Sequence, residues 1–118
     1  MTNDAPALVF IYDRDSGGDA SALQSRIHEC RSYARLMGWQ VAGQWVERGD
    51  SENRLFWRAM AAAMAFQGIG RRTVCLVSSW GRISTDPLKC ASLRQLVHEA
   101  GGVCFAVAEA GKAASSGS

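Results

Sequence analysis

The sequence has 118 residues, which fits a single small domain. Hydrophobic residues make up 47% of it and charged residues 20%, a composition that favours a packed core over disorder. Thirteen basic and eleven acidic residues give a net charge of +2, too small an excess to indicate a nucleic-acid-binding surface by itself. No apolar run approaches the roughly 20 residues that span a bilayer, and no charged-then-apolar leader opens the sequence, so we expect a cytoplasmic protein.

The first predicted strand is the continuous apolar run from Ala7 to Tyr12, which is typical of a strand buried on both faces. A Ser-Gly-Gly-Asp segment at 16–19 follows it. A helix is then predicted from Ala20 to Met37, because apolar residues recur at steps of three and four and so form one buried stripe. The stripe consists of Leu23, Ile27, Cys30, Ala34 and Met37.

The rest of the chain continues the alternation of strands and helices. Strands are predicted at 39–46, 73–77 and 103–107, and helices at 54–66 and about 86–100. This order predicts an α/β fold, a three-layer sandwich with a mainly parallel, four- to five-stranded sheet flanked by helices. We expect one domain over residues 1–108 and a disordered tail over 109–118.

The cysteines and histidines do not form a metal-binding pattern. No two cysteines are in a CxxC pair, and the two histidines, His28 and His98, lie alone on helical patterns. We therefore expect reduced thiols and no metal site. The four cysteines are Cys30, Cys75, Cys90 and Cys104.

Three polar segments, at 13–19, 49–54 and 78–86, are expected to meet at the carboxyl ends of the strands, where open α/β sheets bind ligands. Each segment supplies one arginine: Arg14, Arg54 and Arg82. Guanidinium groups repel one another, so a cluster of three around the hydroxyl of Ser16 suits a phosphate whose charge grows in a transition state. The alternative is an ordinary strand-to-helix turn in which Ser16 or Asp19 caps the helix.

Five segments of the sequence carry a family resemblance. They are Tyr-Asp-Arg-Asp-Ser at 12–16, Cys-Arg-Ser-Tyr-Ala at 30–34, Gly-Trp at 38–39, Glu-Arg-Gly-Asp-Ser at 47–51 followed by Arg54, and Arg-Ile-Ser-Thr-Asp at 82–86. In this order they resemble the motifs of the N-terminal catalytic domain of serine recombinases of the resolvase/invertase class. The resemblance covers about residues 7–107.

The resemblance implies a resolvase-like fold and site-specific DNA recombination. Ser16 would attack a DNA phosphodiester and form a covalent 5′-phosphoserine link, while Arg14, Arg54 and Arg82 would neutralise the phosphate. It implies double-stranded DNA as partner and dimers that pair into a tetramer at synapsis. It implies no cofactor, and it places the protein at the nucleoid.

The sequence also departs from the family pattern. Gly81 stands where the family usually has Asp, Thr85 where it has a second catalytic Arg, Asp15 where it has a small apolar residue, and Arg26 where it has Gln. The sequence ends at Ser118 without the family's dimerisation helix and DNA-binding region, which oligomerisation would require. We therefore expect a truncated or impaired recombinase domain. The alternative is a catalytically inactive resolvase-like domain that acts as a dimerisation or regulatory module.

Two other classes of protein fit less well. A phosphate-accepting receiver domain would match Asp13 and Asp15 at the end of the first strand, but it needs an Asp at the end of the third, where Ser78 and Ser79 stand. A nucleotide-binding module would need a glycine-rich phosphate-binding motif, and the Ser-Gly-Gly segment matches none.

Overall fold

The computed structural model describes residues 5–15, 17–48 and 53–110. Within these ranges the elements alternate as the sequence predicts. They are β1 (Leu8–Asp15), α1 (Ala20–Leu36), β2 (Gln40–Arg48), α2 (Leu55–Gln67), β3 (Thr73–Val77), a 3₁₀ turn (Trp80–Arg82), α3 (Pro87–Glu99) and β4 (Val103–Ala106). Among these helices, none has both the length and the apolar character that crossing a bilayer requires.

The four strands form one sheet in the order β2-β1-β3-β4, and every neighbouring pair is parallel. The two central strands, β1 and β3, are the continuous apolar runs of the sequence, because each is covered on both faces. The chain reverses its direction of travel across the sheet between β1 and β3. In open parallel sheets such a reversal opens a crevice at the carboxyl ends of the strands.

Helices cover both faces of the sheet, which gives three layers. The predicted stripe of α1 packs through Leu23, Ile27, Cys30 and Ala34 on the face that includes Val9 and Ile11 of β1. Helices α2 and α3 pack on the opposite face, against Phe10 and Tyr12. The predicted α/β sandwich, with a four-stranded parallel sheet flanked by helices, is confirmed.

The ends of some elements differ from the prediction. Strand β1 extends through the polar residues to Asp15, because its hydrogen-bonded partner β2 continues beside it as far as Arg48. Met37, predicted on the buried stripe of α1, is 47% exposed, since the helix has ended there and Met37 is only its C-cap.

The last strand is one residue shorter than predicted. Strand β4 ends at Ala106, and residues 107–110 are helical. The remainder of the expected tail, 111–118, lies outside the described residues. The division into a domain at 1–108 and a disordered tail at 109–118 stays a prediction.

Candidate functional site

Arg14 and Arg82 are brought into contact at the carboxyl ends of β1 and β3. Arg14 donates from Nε to the carbonyl oxygen of Arg82, at 3.0 Å, and from Nη2 to that of Gly81, at 3.3 Å. In return, Arg82 donates from Nη1 to the carbonyl oxygen of Arg14, at 3.4 Å. These contacts connect the end of β1 to the 3₁₀ turn that follows β3, so two of the three predicted arginines share one place in the fold.

Asp13 supplies a negative charge between two arginines. Its side chain is only 2% exposed, on the face of β1 that α1 covers. Oδ2 accepts from Nε of Arg26 at 2.7 Å, and Oδ1 lies 3.7 Å from Nη1 of Arg82. The amide of Arg14 also donates to Oδ1, at 2.6 Å. A buried carboxylate requires this number of partners, because an unpaired one is costly to desolvate.

Arg54 lies beside Tyr12, on the face of β1 opposite to Asp13. It is the N-cap of α2, is 4% exposed, and has the left-handed backbone value φ 49°, which costs a non-glycine residue roughly 1–2 kcal/mol. Burial and the charge of Glu47 raise the pKa of the Tyr12 phenol, and the nearby guanidinium of Arg54 offsets part of that rise. Within the described residues, Nε and Nη1 of Arg54 are buried without a hydrogen-bond partner.

Glu47 fixes the neighbourhood of Arg54. Its Oε1 accepts from the hydroxyl of Tyr12 at 3.0 Å and from the amide of Trp57 at 3.2 Å, and its Oε2 accepts from the amide of Phe56 at 3.1 Å. The carboxylate thus satisfies two of the free N–H groups at the start of α2. Burial, and then the charge of Glu47, raise the pKa of Tyr12, so this hydroxyl remains a protonated donor.

The predicted nucleophile, Ser16, lies outside the described residues, as does most of the second polar segment, 49–52. Its neighbours show how the chain turns towards α1. The amide of Gly17 donates to Oδ1 of Asp15 at 3.2 Å, and Asp19 caps α1 by accepting from the amide of Ser21 at 2.9 Å. The cap of this helix is therefore Asp19. The approach of Ser16 to the arginines stays a prediction.

Two departures from the family pattern, Gly81 and Thr85, lie close to Arg82 in the sequence and are at least partly exposed. Thr85 is exposed and lines a shallow groove with Trp80 and Arg94. A Cβ at Gly81 would meet nothing closer than the Ser79 hydroxyl at 3.9 Å, so the backbone itself does not exclude a side chain there. Trp80 is half-buried, and the guanidinium of Arg94 covers its ring at 4.0 Å from the centroid.

Guanidinium groups determine the chemistry at the end of β1. Those of Arg14, Arg26 and Arg82 are grouped by their contacts with main-chain oxygens and Asp13, and that of Arg54 lies beside Tyr12 on the opposite face of the strand. Such a cluster attracts phosphate and repels metal ions. In the described ranges, no three His, Cys, Asp or Glu side chains are grouped so that they could hold a metal.

Sequence reasoning missed Arg26, which it treated only as a departure from a family pattern. The signal was its position in α1. Arg26 directly precedes Ile27 and is three residues after Leu23, so it borders the buried stripe in the helix that leaves the end of β1. A long side chain there reaches back to the strand end, where Asp13 receives it.

The fold is similar to those of three solved catalytic domains or recombinases. No protein-family model matches the sequence, and the comparison with curated proteins found no match. The C-terminal catalytic domain of ISC1926 TnpA, an IS607-like serine recombinase, has a TM-score of 0.70 and 18% identity, over 85% of this chain and 69% of that one. The N-terminal catalytic domain of TP901-1 integrase has a TM-score of 0.72 and 22% identity, over 86% and 78%.

The third structure is a resolvase family site-specific recombinase from Streptococcus pneumoniae, with a TM-score of 0.73 and 17% identity, over 87% of this chain and 73% of that one. At these identities the likeness concerns the fold. The predicted resolvase-like fold is confirmed: this chain has the fold of the catalytic domains of serine recombinases.

Proposed function

We propose that this chain is the catalytic domain of a serine-type, site-specific DNA recombinase. The observation that carries the proposal is the contact between Arg14 and Arg82 where the chain reverses its direction across the sheet. Arg14 is two residues before Ser16 in the sequence. Of the three similar structures, one belongs to a serine recombinase, one to an integrase and one to a site-specific recombinase of the resolvase family. Together they favour a phosphate-transfer site at this edge.

In the proposed reaction, Oγ of Ser16 attacks the phosphorus of a DNA phosphodiester. The new O–P bond replaces the bond from phosphorus to the 3′ oxygen, which leaves as a 3′ hydroxyl once it takes a proton. The 5′ end remains attached as a phosphoserine, so the phosphodiester bond energy is conserved and strand exchange can reverse the same step. Arg14, Arg54 and Arg82 stabilise the additional negative charge of the transition state.

The state of Arg54 supports its role in this proposal. Among the described residues, two of its nitrogens have no hydrogen-bond partner although they are buried, and unsatisfied charged donors are unfavourable in a protein interior. A phosphate oxygen would satisfy them. The strained backbone of Arg54 fits the same explanation, because left-handed non-glycine residues persist mainly where the surrounding structure or a function requires them.

A second candidate function is an inactive resolvase-like domain that acts as a dimerisation or regulatory module. It is favoured by the engagement of Arg14, whose guanidinium donates to two main-chain carbonyls, and by Thr85, which supplies no cation. DNA as a partner belongs to the first proposal alone, in which the protein also forms a homo-oligomer. The second proposal needs only a surface that binds another protein chain.

A covalent-capture experiment distinguishes the two functions. The unmodified chain, Ser16→Ala and the matched control Ser25→Ala, which changes an exposed serine of α1, are incubated with a labelled pool of nicked DNA duplexes. Nicks let the cleaved strand diffuse away and so trap the intermediate. We expect a DNA adduct that resists detergent and disappears on nuclease treatment, formed by the unmodified chain and by Ser25→Ala but absent with Ser16→Ala.

The absence of any adduct with the unmodified chain would refute the enzyme and leave the inactive domain. An adduct of equal yield with Ser16→Ala would refute the assigned nucleophile, since another side chain would then carry the DNA. Folding of each variant is checked by circular dichroism before the incubation.

A further inference from the structure

Two guanidiniums are held side by side at the end of β1 by the same two acceptors. Nη2 of Arg26 and Nη1 of Arg82 both lie within hydrogen-bond distance of the carbonyl oxygen of Arg14, at 3.5 and 3.4 Å. Both also flank the carboxylate of Asp13, at 2.7 Å from Arg26 and 3.7 Å from Arg82. They approach from different elements, since Arg26 belongs to α1 and Arg82 to the 3₁₀ turn after β3.

The charges in this arrangement do not balance. One carboxylate faces two guanidiniums, so one positive charge is left over within the group. Asp13 is almost fully buried, whereas the side chains of Arg26 and Arg82 remain 26% and 24% exposed. Because part of each arginine side chain remains accessible, both guanidiniums can bind an anion while Asp13 pairs with them.

We propose that Arg26 is a further phosphate-binding residue of the site and that Asp13 is the positioning residue that pairs it with Arg82. This inference rests on the proposed function. A DNA phosphodiester has two non-bridging oxygens, and two adjacent guanidiniums offer one donor group to each. Arg26 thereby supplies, from α1, a cation that position 85 of this chain does not supply.

The geometry also explains why Asp13 accompanies Arg26. Two guanidiniums that share one carbonyl oxygen repel each other, and a carboxylate between them offsets that repulsion. Asp13 reaches both because strand alternation turns its side chain to the α1 face, opposite to Tyr12. Without Asp13, Arg26 would have little reason to remain beside Arg82.

Phosphate titration tests the proposal without requiring cleavage. Inorganic phosphate is added, at constant ionic strength, to the ¹⁵N-labelled chain and to Arg26→Gln, Asp13→Asn/Arg26→Gln and Arg35→Gln. Arg35 is the matched control, an exposed arginine in the last turn of the same helix. We expect saturable NMR shifts of Arg26, Arg82 and the end of β1. The dissociation constant should rise about tenfold in Arg26→Gln and stay within about twofold in Arg35→Gln.

The double variant separates phosphate binding from a merely structural ion pair. Asp13→Asn/Arg26→Gln removes both charges at once and leaves no unpaired buried carboxylate. If Arg26 binds phosphate, the double variant stays about as weak as Arg26→Gln. Wild-type affinity in the double variant would show that Arg26 only neutralises Asp13, and unsaturable shifts in the unmodified chain would also overturn the proposal.

This result is independent of the covalent capture. Ser25→Ala, the control of that experiment, should bind phosphate like the unmodified chain, because it changes only an exposed serine of α1. A chain that binds phosphate through Arg26 but forms no DNA adduct would contradict the recombinase and keep the inference. A chain that forms the adduct equally well with Arg26→Gln, and binds phosphate equally well, would contradict the inference alone.

Discussion

Consecutive residues at the end of β1 contribute to different parts of the molecule because side chains of a strand alternate between its two faces. Tyr12 points to the face covered by α2 and α3, where its hydroxyl donates a hydrogen bond to Glu47. Asp13 points to α1 and receives Arg26. Arg14 contacts the main chain after β3. Three adjacent residues thus connect β1 to β2, α1 and the 3₁₀ turn.

Glu47→Gln tests the importance of the buried carboxylate that caps α2. The amide of Gln keeps one oxygen but places an NH₂ group opposite an N–H or O–H donor of Tyr12, Phe56 or Trp57. We expect the free energy of unfolding to fall by about 1–3 kcal/mol, measured by urea denaturation. Glu29→Gln, on the exposed face of α1, is the control and should change it by less than about 0.5 kcal/mol. Equal stability of the two variants would contradict the assigned cap.

The raised pKa of a buried thiol predicts how the free energy of unfolding changes at alkaline pH. Burial raises the pKa of Cys30 from 9.0 to about 12, so the folded state keeps a proton that the unfolded state loses above about pH 9. The stabilisation is present below that pH and is lost as the pH rises towards 12. In this window the thiol of Cys30 contributes a loss of roughly 1 kcal/mol per pH unit.

Cys30→Ala should therefore make stability less dependent on pH between about pH 8 and pH 11, measured by urea denaturation at each pH. Ser25→Ala, which changes an exposed serine of the same helix and removes no thiol, is the control and should keep the pH dependence of the unmodified chain. Parallel pH profiles for the two variants would refute this account.

At the scale of elements, local signals determined most of the structure. The helix predicted from about residue 86 begins at Pro87, and Asp86 caps it by accepting from the amide of Leu88 at 3.0 Å. The predicted ends of an element were wrong where pairing with a neighbouring element determines its length. Strand β1 continues through Asp15 only because β2 runs beside it, and no local residue preference announces that pairing.

Trp57 connects two helices that sequence patterns treat separately. Its ring is fully buried against Tyr12, and its Nε1 donates to the carbonyl oxygen of Leu93 in α3 at 2.9 Å. Trp57→Phe removes that donor and part of the ring, so we expect a loss of about 2–4 kcal/mol in the free energy of unfolding. The matched control is Phe56→Leu, at the neighbouring, 48% exposed position, which should cost under about 1 kcal/mol. A small loss for Trp57→Phe would show that α2 and α3 are joined by other contacts.

At the scale of the whole molecule, the sequence indicated which strand ends would meet and some, but not all, of the side chains that pair there. Parallel strands and the reversal between β1 and β3 bring the polar segments after those strands together, and Arg14 and Arg82 follow from that order. Arg26 did not, because its pairing with Asp13 depends on the angle at which α1 crosses the sheet. Helical periodicity gives the buried face of α1 and leaves that angle open.

The missing cation at position 85 gives the last prediction. Thr85 is exposed beside Trp80 and follows Arg82 by three residues, so Thr85→Arg adds a guanidinium next to the proposed phosphate site. Because one transition-state contact is worth roughly 10²–10³ in rate, we expect the rate of DNA adduct formation to rise at least about tenfold. Leu88→Arg adds the same charge at an 81% exposed position at the start of α3 and serves as the control. An equal rise in Leu88→Arg would mean that nonspecific attraction of DNA, rather than phosphate neutralisation at the site, limits the reaction.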